Sequence, residues 1–516
     1  MHTLTSYVAG RWQEGSGEPR TLLDPTSGAA LAQLPSGGLD LAAMTAHARD
    51  VGGPALRALN FAQRGQMLKD LSAAIHEARE ELIELGRVCG GNTRGDAKFD
   101  IDGATGTLAA YAYYARSLGE RKTLADGDGV QLGRTARFWG QHILSSRPGV
   151  AVHINAFNFP AWGMFEKAAC ALLAGMPVIE KPGSPTALLA WRLAQITVDS
   201  GLLPEGAFQF IAGSAGGLLD HLGPQDCLAF TGSAKTGALL RGHPNVVAHN
   251  VRINIEADSL NAAVLAPDVE SDSETYGAFL ANLVTDMTQK AGQKCTAVRR
   301  ILVPAERVDE VREDLIAELG RIQMGDPADR ANRLGPLTDL AQLEDVRQGI
   351  GRLAEVSEVV LGGAEPTEHG GCFVQPTLLV ASDSRASVLH ELEVFGPVST
   401  ILPYAGEVDE AVDLVNLGGG GLVTSVYSND PDWTEAYVVG VAPWHGRVWI
   451  ASDRSVSQSL PPGMVLPASI HGGPGRAGGG EELGAERGLA FYMQRTALQG
   501  FKGFLDPRFG DNTAPE

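Results

Sequence analysis

The chain has 516 residues, of which 44% are hydrophobic and 20% charged, and its formal net charge is −20. This length exceeds one hydrophobic core, so we expect roughly two or three domains of a globular protein. The negative charge, without a Lys/Arg-rich tract, argues against nucleic acid or an anionic membrane as partner. The N-terminus lacks signal-peptide features, and the longest near-apolar run, 168–179, is too short to span a bilayer. We therefore expect a cytoplasmic protein.

In chain order, the first regular pattern is helical. Residues 60–119 place apolar side chains at helical spacing, as in F-A-Q-R-G-Q-M-L-K-D-L. The pattern becomes strand-like at 134–146, after a turn rich in Gly and Asp. This segment is either a two-stranded ribbon that reaches out of its domain or an ordinary surface hairpin.

Strands and helices then alternate. Strands are predicted at 149–155, 177–180, 208–211 and 227–230, with helices at 187–200 and 215–222 between them. A second series follows residue 260, with strands near 300–303, 359–361, 378–380, 398–402 and 423–427. This alternation predicts doubly wound α/β domains with parallel sheets. The Gly-rich stretch 471–480 is interpreted as a loop that closes over something.

The five cysteines are scattered without a C-x-x-C pair, so neither disulfides nor a metal site is predicted. Cys170 and Cys227 lie in apolar segments and are expected in the core. Cys295, in K-A-G-Q-K-C-T, differs because a cation such as Lys294 beside a thiol favours the nucleophilic thiolate. The alternative for an isolated case is a buried structural cysteine.

Two segments have features of a phosphate-binding crevice. F-T-G-S-A-K-T-G follows a strand and opens a helix, so Gly232 allows a tight turn and Ser233 adds a donor for a pyrophosphate. Lys181, in V-I-E-K-P-G-S, ends a strand, which is where open α/β sheets bind ligands. Each feature alone is common in strand–helix turns and solvated strand ends.

Three further motifs supply an amide, carboxylates and an aromatic ring. Asn158 in N-A-F-N-F-P could meet an oxyanion, and Glu256 at the end of V-R-I-N-I-E could be a general base. The alternative is that Asn158 is an ordinary turn residue and that Glu256 is exposed and inert. E-V-F-G-P, with Glu393 and Phe395, is open to the same two interpretations.

Together these motifs, in this order and spacing, resemble the aldehyde dehydrogenase superfamily over nearly the whole chain. The resemblance implies Cys295 as nucleophile, Glu256 as general base and Asn158 as oxyanion donor. It also implies a nicotinamide cofactor, whose residues are Lys181 and Ser184 at the adenosine ribose, Gly232 and Ser233 at the pyrophosphate, Glu393 and Phe395 at the nicotinamide end, and Phe157 as a further cofactor-binding residue.

The same resemblance implies the domain plan. Residues 1–124 and 149–258 would form the cofactor-binding domain, and 259–480 the catalytic domain. Residues 125–148 and 481–516 would pair subunits, giving a homodimer or a tetramer.

Departures from the family pattern sharpen the expectation. In the family a glutamate is often found three positions after the lysine of the K-P motif, where it binds the ribose 2′-hydroxyl. In this sequence that position, three after Lys181, is Ser184. Since a carboxylate would repel a 2′-phosphate, we expect NADP, with NAD as the weaker alternative. The common E-L-G-G is E-A-D-S, which puts Asp258 near the base, and the usual Pro-Trp is Ala156-Phe157.

The segment 471–500 resembles family members that oxidise CoA-linked semialdehydes during the breakdown of aromatic acids such as benzoate. It implies a six-carbon CoA-linked aldehyde as substrate. One alternative is a general or CoA-acylating enzyme, which would not need Glu256 to activate water. The other, of a different class, is an inactive binding or structural homologue.

Overall fold

Two seven-stranded sheets dominate the computed structural model, which describes residues 2–510. The first sheet holds five parallel strands and, at one edge, an antiparallel pair from the N-terminus. Its spatial order is Arg252–Glu256, Cys227–Thr231, Ala151–Ile154, Val178–Lys181, Phe208–Phe210, Thr5–Val8 and Arg11–Glu14. The four strands predicted between 149 and 230 are confirmed. The doubly wound α/β fold is confirmed as well.

The second sheet is parallel except at one edge strand. Its order is Ser357–Leu361, Thr377–Ala381, Val398–Tyr404, Val298–Pro304, Asn261–Leu265, Gly421–Tyr427 and His445–Ala451. Every residue of the central strand Val298–Pro304 is buried, as expected for a parallel sheet covered on both faces. Two of its strands, Asn261–Leu265 and His445–Ala451, had not been predicted.

Helices cover both sheets. Phe61–Glu77 begins with a capping box, in which the side chains and backbone N–H groups of Asn60 and Gln63 bond reciprocally. The α-helices are Leu41–His47, Gly53–Ala58, Phe61–Glu77, Arg79–Gly90, Arg94–Leu118, Trp162–Ala174, Ala187–Asp199, Ala234–Arg241, Pro244–His249, Glu274–Thr288, Val308–Leu319, Leu340–Ala354, Val388–Glu391, Val408–Asn416, Pro431–Val441 and Lys502–Phe509.

The helix predicted at 215–222 is wrong. Only a short 3₁₀ turn, Leu218–His221, forms there. Gly216 has a left-handed φ of 51°, and Pro224 follows closely, so too few residues remain for an α-helix.

The segment predicted as a ribbon forms part of a four-stranded sheet. Phe138–Ser146 pairs with Thr123–Ala125 and Val130–Gln131 on one side. On its other side it pairs with the C-terminal strand Met493–Phe501 along nine residues of each strand. Thus the segments 123–146 and 493–501, which are distant in sequence, form one antiparallel sheet.

A further small sheet joins His2–Thr3, Ala30–Leu34 and Arg20–Leu23.

The Gly-rich stretch 471–480 is not an open loop. It belongs to a hairpin of Ile470–Gly473 and Gly480–Leu483 that lies between the two large sheets. The Ala257 N–H donates to Ala477 O, which joins the hairpin to the end of the first sheet. A Cβ on Gly478 would lie 2.4 Å from Ile255 O, and one on Gly473 would lie 2.2 Å from Gly421 O. The glycines therefore permit backbone contact with both sheets.

The hydrophobic core between the first sheet and its helices surrounds Trp162–Ala174, a helix in which all residues except Gly163 are buried. Cys170 and Cys227 are buried, which confirms their predicted core positions. Among the described residues, no helix combines the length and apolar character needed to cross a membrane.

Candidate active site

The carboxyl ends of the first sheet's parallel strands form a crevice. The central strand Ala151–Ile154 has Val178–Lys181 on one side and Cys227–Thr231 on the other. Because the chain reverses its direction of progress across the sheet here, this edge is a topological switch point, where such sheets bind ligands. The predicted residues Asn158, Lys181 and Glu256 all lie at or just beyond these strand ends.

Cys295 lies between a strained turn and the strand Val298–Pro304 of the second sheet. The 3₁₀ turn Gln289–Gly292 puts Lys290 and Ala291 at φ values of 54° and 52°, which are unfavourable for residues with a Cβ. The Arg299 guanidinium donates to Gly292 O at 2.9 Å and to Gly396 O at 2.8 Å. These contacts keep the turn in place and direct Cys295 towards the crevice.

The predicted nucleophile, base and oxyanion donor meet at one cavity of about 40 Å³, which is room for a few water-sized groups. Its walls are mostly apolar, with Phe99, Phe159, Trp162 and Val465 beside Asn158, Glu256 and Cys295. Asn158 Nδ2 donates to Gln293 O at 3.0 Å, so the amide group is fixed near the loop that holds Cys295. The structure thus brings together three side chains that are distant in sequence.

His471 is a cavity residue that the sequence analysis did not single out. It is 4% exposed, and its Nε2 lies 3.1 Å from Glu256 Oε1 and 3.8 Å from Cys295 Sγ. The signal that could have found it was a histidine at the start of the Gly-rich stretch. That stretch was interpreted only as a loop.

Behind Glu256 lies a buried charge cluster that sequence reasoning also missed. Lys167 Nζ lies 3.2 Å from Glu166 Oε1 and 3.1 Å from Glu482 Oε2. Carboxylate oxygens of Glu166, Glu256 and Glu482 all lie within 4.8 Å of one another. Because Trp162–Ala174 reads as an apolar helix, its buried Glu166 and Lys167 gave no separate signal.

The cluster shifts several pKa values. Burial alone would raise the pKa of Glu256, but the facing His471 and the nearby Lys167 lower it to about 2. For Glu166, burial raises the pKa to about 7 in spite of Lys167. Burial also lowers the pKa of His471, yet Glu256 outweighs this and the net shift is upward. In this arrangement Glu256 is held as a carboxylate.

The expectation that Lys294 activates Cys295 is wrong. Lys294 Nζ is turned away and pairs with Asp286 at 2.7 Å, with both side chains buried. Burial raises the pKa of the Cys295 thiol well above its usual value, and the nearby Glu256 raises it further. The stabilising cation for a thiolate must therefore come from elsewhere in the site.

The predicted adenosine end of the cofactor site contains a half-buried, unpaired ammonium group. Burial lowers the pKa of Lys181, whose Nζ makes no ion pair with any residue between 2 and 510. Ser184 begins the next turn, Ser184–Thr186, and is also half-buried. A cation and a hydroxyl at one strand end fit a ribose or its phosphate.

The predicted pyrophosphate loop is partly occupied by a carboxylate. Gly232 and Ser233 precede the helix Ala234–Arg241, and Ser233 caps it by accepting from the Thr236 N–H. However, Asp258 Oδ1 accepts from the Ala234 N–H at 2.8 Å, at the helix end where the pyrophosphate was expected. Arg476 lies 3.8 Å from Asp258 and partly offsets its charge.

The predicted nicotinamide end contains Glu393 and two aromatic rings. Burial raises the pKa of Glu393 to about 7, and its Oε1 has no hydrogen-bond partner among residues 2–510. Phe157 and Phe395 meet edge to face with ring centroids 5.9 Å apart. Glu393 Oε1 lies 3.8 Å from Arg299 Nε but makes no hydrogen bond to it. A buried oxygen with a free hydrogen-bonding position beside two rings fits a sugar hydroxyl and a planar ring, so these residues fit a nicotinamide nucleotide.

A larger cleft of about 630 Å³ is lined by a different set of residues from the apolar cavity. Its cations are Arg94, Lys98, Arg330 and Arg333, opposed by Asp96 and Asp329. Within residues 2–510, Arg330 and Arg333 have no carboxylate within 4.0 Å. The cleft adjoins the loop that holds Cys295, because Gln289 lines it and accepts from Lys294 Nζ at 3.0 Å.

Comparison with known proteins identifies the family. The chain belongs to the aldehyde dehydrogenase family, whose model matches residues 12–498. Over 478 residues it is 44% identical to a 3,4-dehydroadipyl-CoA semialdehyde dehydrogenase from Aromatoleum evansii, covering 91% of this chain and 93% of the relative. A succinate-semialdehyde dehydrogenase [NADP(+)] from Escherichia coli is 27% identical, covering 90% and 93%.

Solved structures share the fold. PnpE in complex with nicotinamide adenine dinucleotide superimposes with a TM-score of 0.83 at 25% identity, covering 96% of this chain and 97% of that one. The chain is therefore an NAD(P)-dependent aldehyde dehydrogenase.

Proposed function

We propose that this protein oxidises a CoA-linked semialdehyde, 3,4-dehydroadipyl-CoA semialdehyde, to the carboxylic acid with NADP in benzoate catabolism. The observation that carries the chemistry is the meeting of Asn158, Glu256 and Cys295 at one apolar cavity. The printed activity of the 44%-identical relative supports the substrate. The domain roles, a homodimer or tetramer, and a cytoplasmic location are part of this proposal.

The chain's residues have distinct roles in this reaction. Cys295 as thiolate attacks the aldehyde carbon, and Asn158 Nδ2 donates to the oxyanion, as does the Cys295 N–H. A bound nicotinamide supplies the two-electron oxidant. Glu256 then takes a proton from the water that attacks the Cys295 thioester, and the acid is released. A CoA-acylating reaction needs no such base, so a carboxylate beside the thiol favours hydrolysis.

The preference for NADP rests on Lys181 and Ser184. A carboxylate in place of Ser184 would repel a 2′-phosphate, whereas a hydroxyl beside an unpaired ammonium group accommodates it. Among similar proteins, one relative is named for NADP and one solved structure holds nicotinamide adenine dinucleotide.

The two parts of the site suit the two parts of the proposed substrate. The narrow apolar cavity fits a linear carbon chain, and the larger cleft beside the Gln289–Gly292 turn offers Arg330 and Arg333 to the phosphates of CoA. Arginines without carboxylate partners are available to bind such anions.

The test is initial-rate cofactor reduction with the CoA-linked semialdehyde and with simple aldehydes, each with NADP and with NAD. We expect a large preference for the CoA-linked substrate with NADP. In Arg330→Ser, we expect KM for that substrate to rise by about tenfold, equivalent to ~1.4 kcal/mol, with free aldehydes unaffected. Arg321→Ser, an exposed arginine paired with Glu318, is the control. Equal rates on short free aldehydes with NAD would contradict the substrate and cofactor proposals.

A further inference from the structure

His471 lies at the centre of the reacting groups and has no assigned role. Its Nε2 faces Cys295 Sγ at 3.8 Å and Glu256 Oε1 at 3.1 Å, so one nitrogen contacts both groups. The side chain is 4% exposed and belongs to the hairpin strand Ile470–Gly473, which is bonded along its length to Gly480–Leu483. The contact is therefore built into the fold.

The surroundings explain why such a group is needed. The reacting atoms of Cys295, Glu256 and His471 lie within 4.8 Å of one another in a buried site. A thiolate and a carboxylate this close repel each other strongly where water is excluded. Lys294 is paired with Asp286. Two further cations interact with Cys295 electrostatically, but the Arg447 guanidinium donates to the carbonyls of Met464 and Pro462, and that of Arg299 donates to the carbonyls of Gly292 and Gly396. Glu166 adds further negative charge.

We propose that His471 is a further catalytic residue, whose Nε2 takes the thiol proton of Cys295 and whose imidazolium then lies between the thiolate and Glu256. This proposal rests on the proposed reaction. In the step, the S–H bond breaks and an Nε2–H bond forms, so the total charge does not change. Glu256 remains ionised and stabilises the imidazolium. When the thioester is hydrolysed, Glu256 takes the proton of water, and the imidazolium returns its proton to the leaving sulfur. Glu256 then releases its proton to solvent, which restores the carboxylate, the neutral imidazole and the thiol.

The experiment measures the thiol directly, without aldehyde or cofactor. Alkylation of Cys295 by iodoacetamide is followed against pH by mass spectrometry of the peptide, because only the thiolate reacts readily. In His471→Gln we expect the midpoint of the pH profile to rise by about one unit, which is about a tenfold lower rate below the midpoint. His445→Gln, a second buried histidine, whose Nδ1 bonds Val441 O, is the control and should behave as wild type.

A double variant separates this role from a structural one. If His471 offsets the repulsion by Glu256, adding Glu256→Gln to His471→Gln should restore part of the lost alkylation rate. A distorted site would gain nothing from the second change. Should His471→Gln not fold, as shown by circular dichroism, His471→Asn replaces it.

The outcomes are distinct. A wild-type pH profile in folded His471→Gln would overturn the proposal, as would the absence of any recovery in the double variant. If the wild-type protein turns over none of the aldehydes while His471→Gln still raises the alkylation midpoint, His471 remains the proton acceptor and the proposed function is rejected instead.

Discussion

The two large sheets supply the catalytic centre in different ways. The first sheet presents Asn158, Lys181 and Glu256 at or just beyond the ends of its own parallel strands. The second sheet's side presents Cys295 on a strained turn, and His471 comes from the hairpin between the sheets. Positions at strand ends follow from local sequence, whereas positions on the turn and hairpin depend on backbone contacts with distant segments. The division predicts which substitutions affect chemistry alone and which affect the fold.

The largest effect is expected at the turn that holds the nucleophile. Cys295→Ala removes the sulfur that forms the thioester, so turnover should fall by at least about 10³-fold. Steady-state cofactor reduction measures this, and cofactor binding by fluorescence should remain. Cys372→Ala, a buried cysteine outside the site, is the control. Residual turnover close to wild type would reject Cys295 as nucleophile.

The strand-end base should affect one half of the reaction. Glu256→Gln should slow hydrolysis by about 10²–10⁴-fold and leave a burst of reduced cofactor equal to the enzyme concentration. Rapid-mixing kinetics separates the burst from the steady state. If the burst and the steady-state rate decrease equally, Glu256 also activates the thiol of Cys295, and its role is not confined to hydrolysis.

The buried cluster connects the two regions, and the Lys167 ammonium group pairs with two of its carboxylates. Lys167→Met leaves Glu166 and Glu482 without the ammonium group at 3.2 and 3.1 Å. Removing one partner of a buried ion pair costs about 3 kcal/mol of unfolding free energy. Urea denaturation measures this, with the exposed Lys69→Met as control. Equal midpoints for the two variants would show that the cluster is dispensable for the fold.

The cofactor end of the first sheet should respond only in specificity. Ser184→Glu places a carboxylate at the ribose position, and like-charge repulsion should lower the ratio of kcat/KM for NADP to that for NAD by at least about fivefold. Initial rates with both cofactors give the ratio. Ser382→Glu, at an exposed position just after the strand Thr377–Ala381 of the second sheet, should leave this ratio unchanged. An unchanged ratio in Ser184→Glu would show that residue 184 does not lie beside the 2′-position of the ribose.

The smallest effect is expected at Asp258. Asp258→Asn keeps an acceptor for the Ala234 N–H but removes the negative charge at that helix end. Since a charge at a helix terminus contributes about 0.3–1 kcal/mol, KM for the cofactor should fall by about two- to fivefold. The exposed Asp309→Asn is the control. A higher KM would mean that Asp258 assists cofactor binding.

The sequence predicted the strand-end part of the site because each motif joins a strand to a turn. Asn158, Lys181 and Glu256 follow apolar runs whose parallel ends must meet at one edge. His471, Glu166 and Glu482 could not be found this way, because their proximity depends on a hairpin that crosses between two sheets. The direction of Lys294 was also beyond the sequence, since its partner Asp286 belongs to the preceding helix, Glu274–Thr288.

The hairpin also changes how its composition should be understood. Glycine-rich segments are commonly treated as the most permissive part of a chain, open to substitution and insertion. Here a single methyl group on Gly473 or Gly478 would lie within 2.4 Å of a neighbouring carbonyl oxygen. A saturation-mutagenesis survey should therefore find 472–480 among the least tolerant stretches of the chain, with alanine nearly as harmful as larger residues.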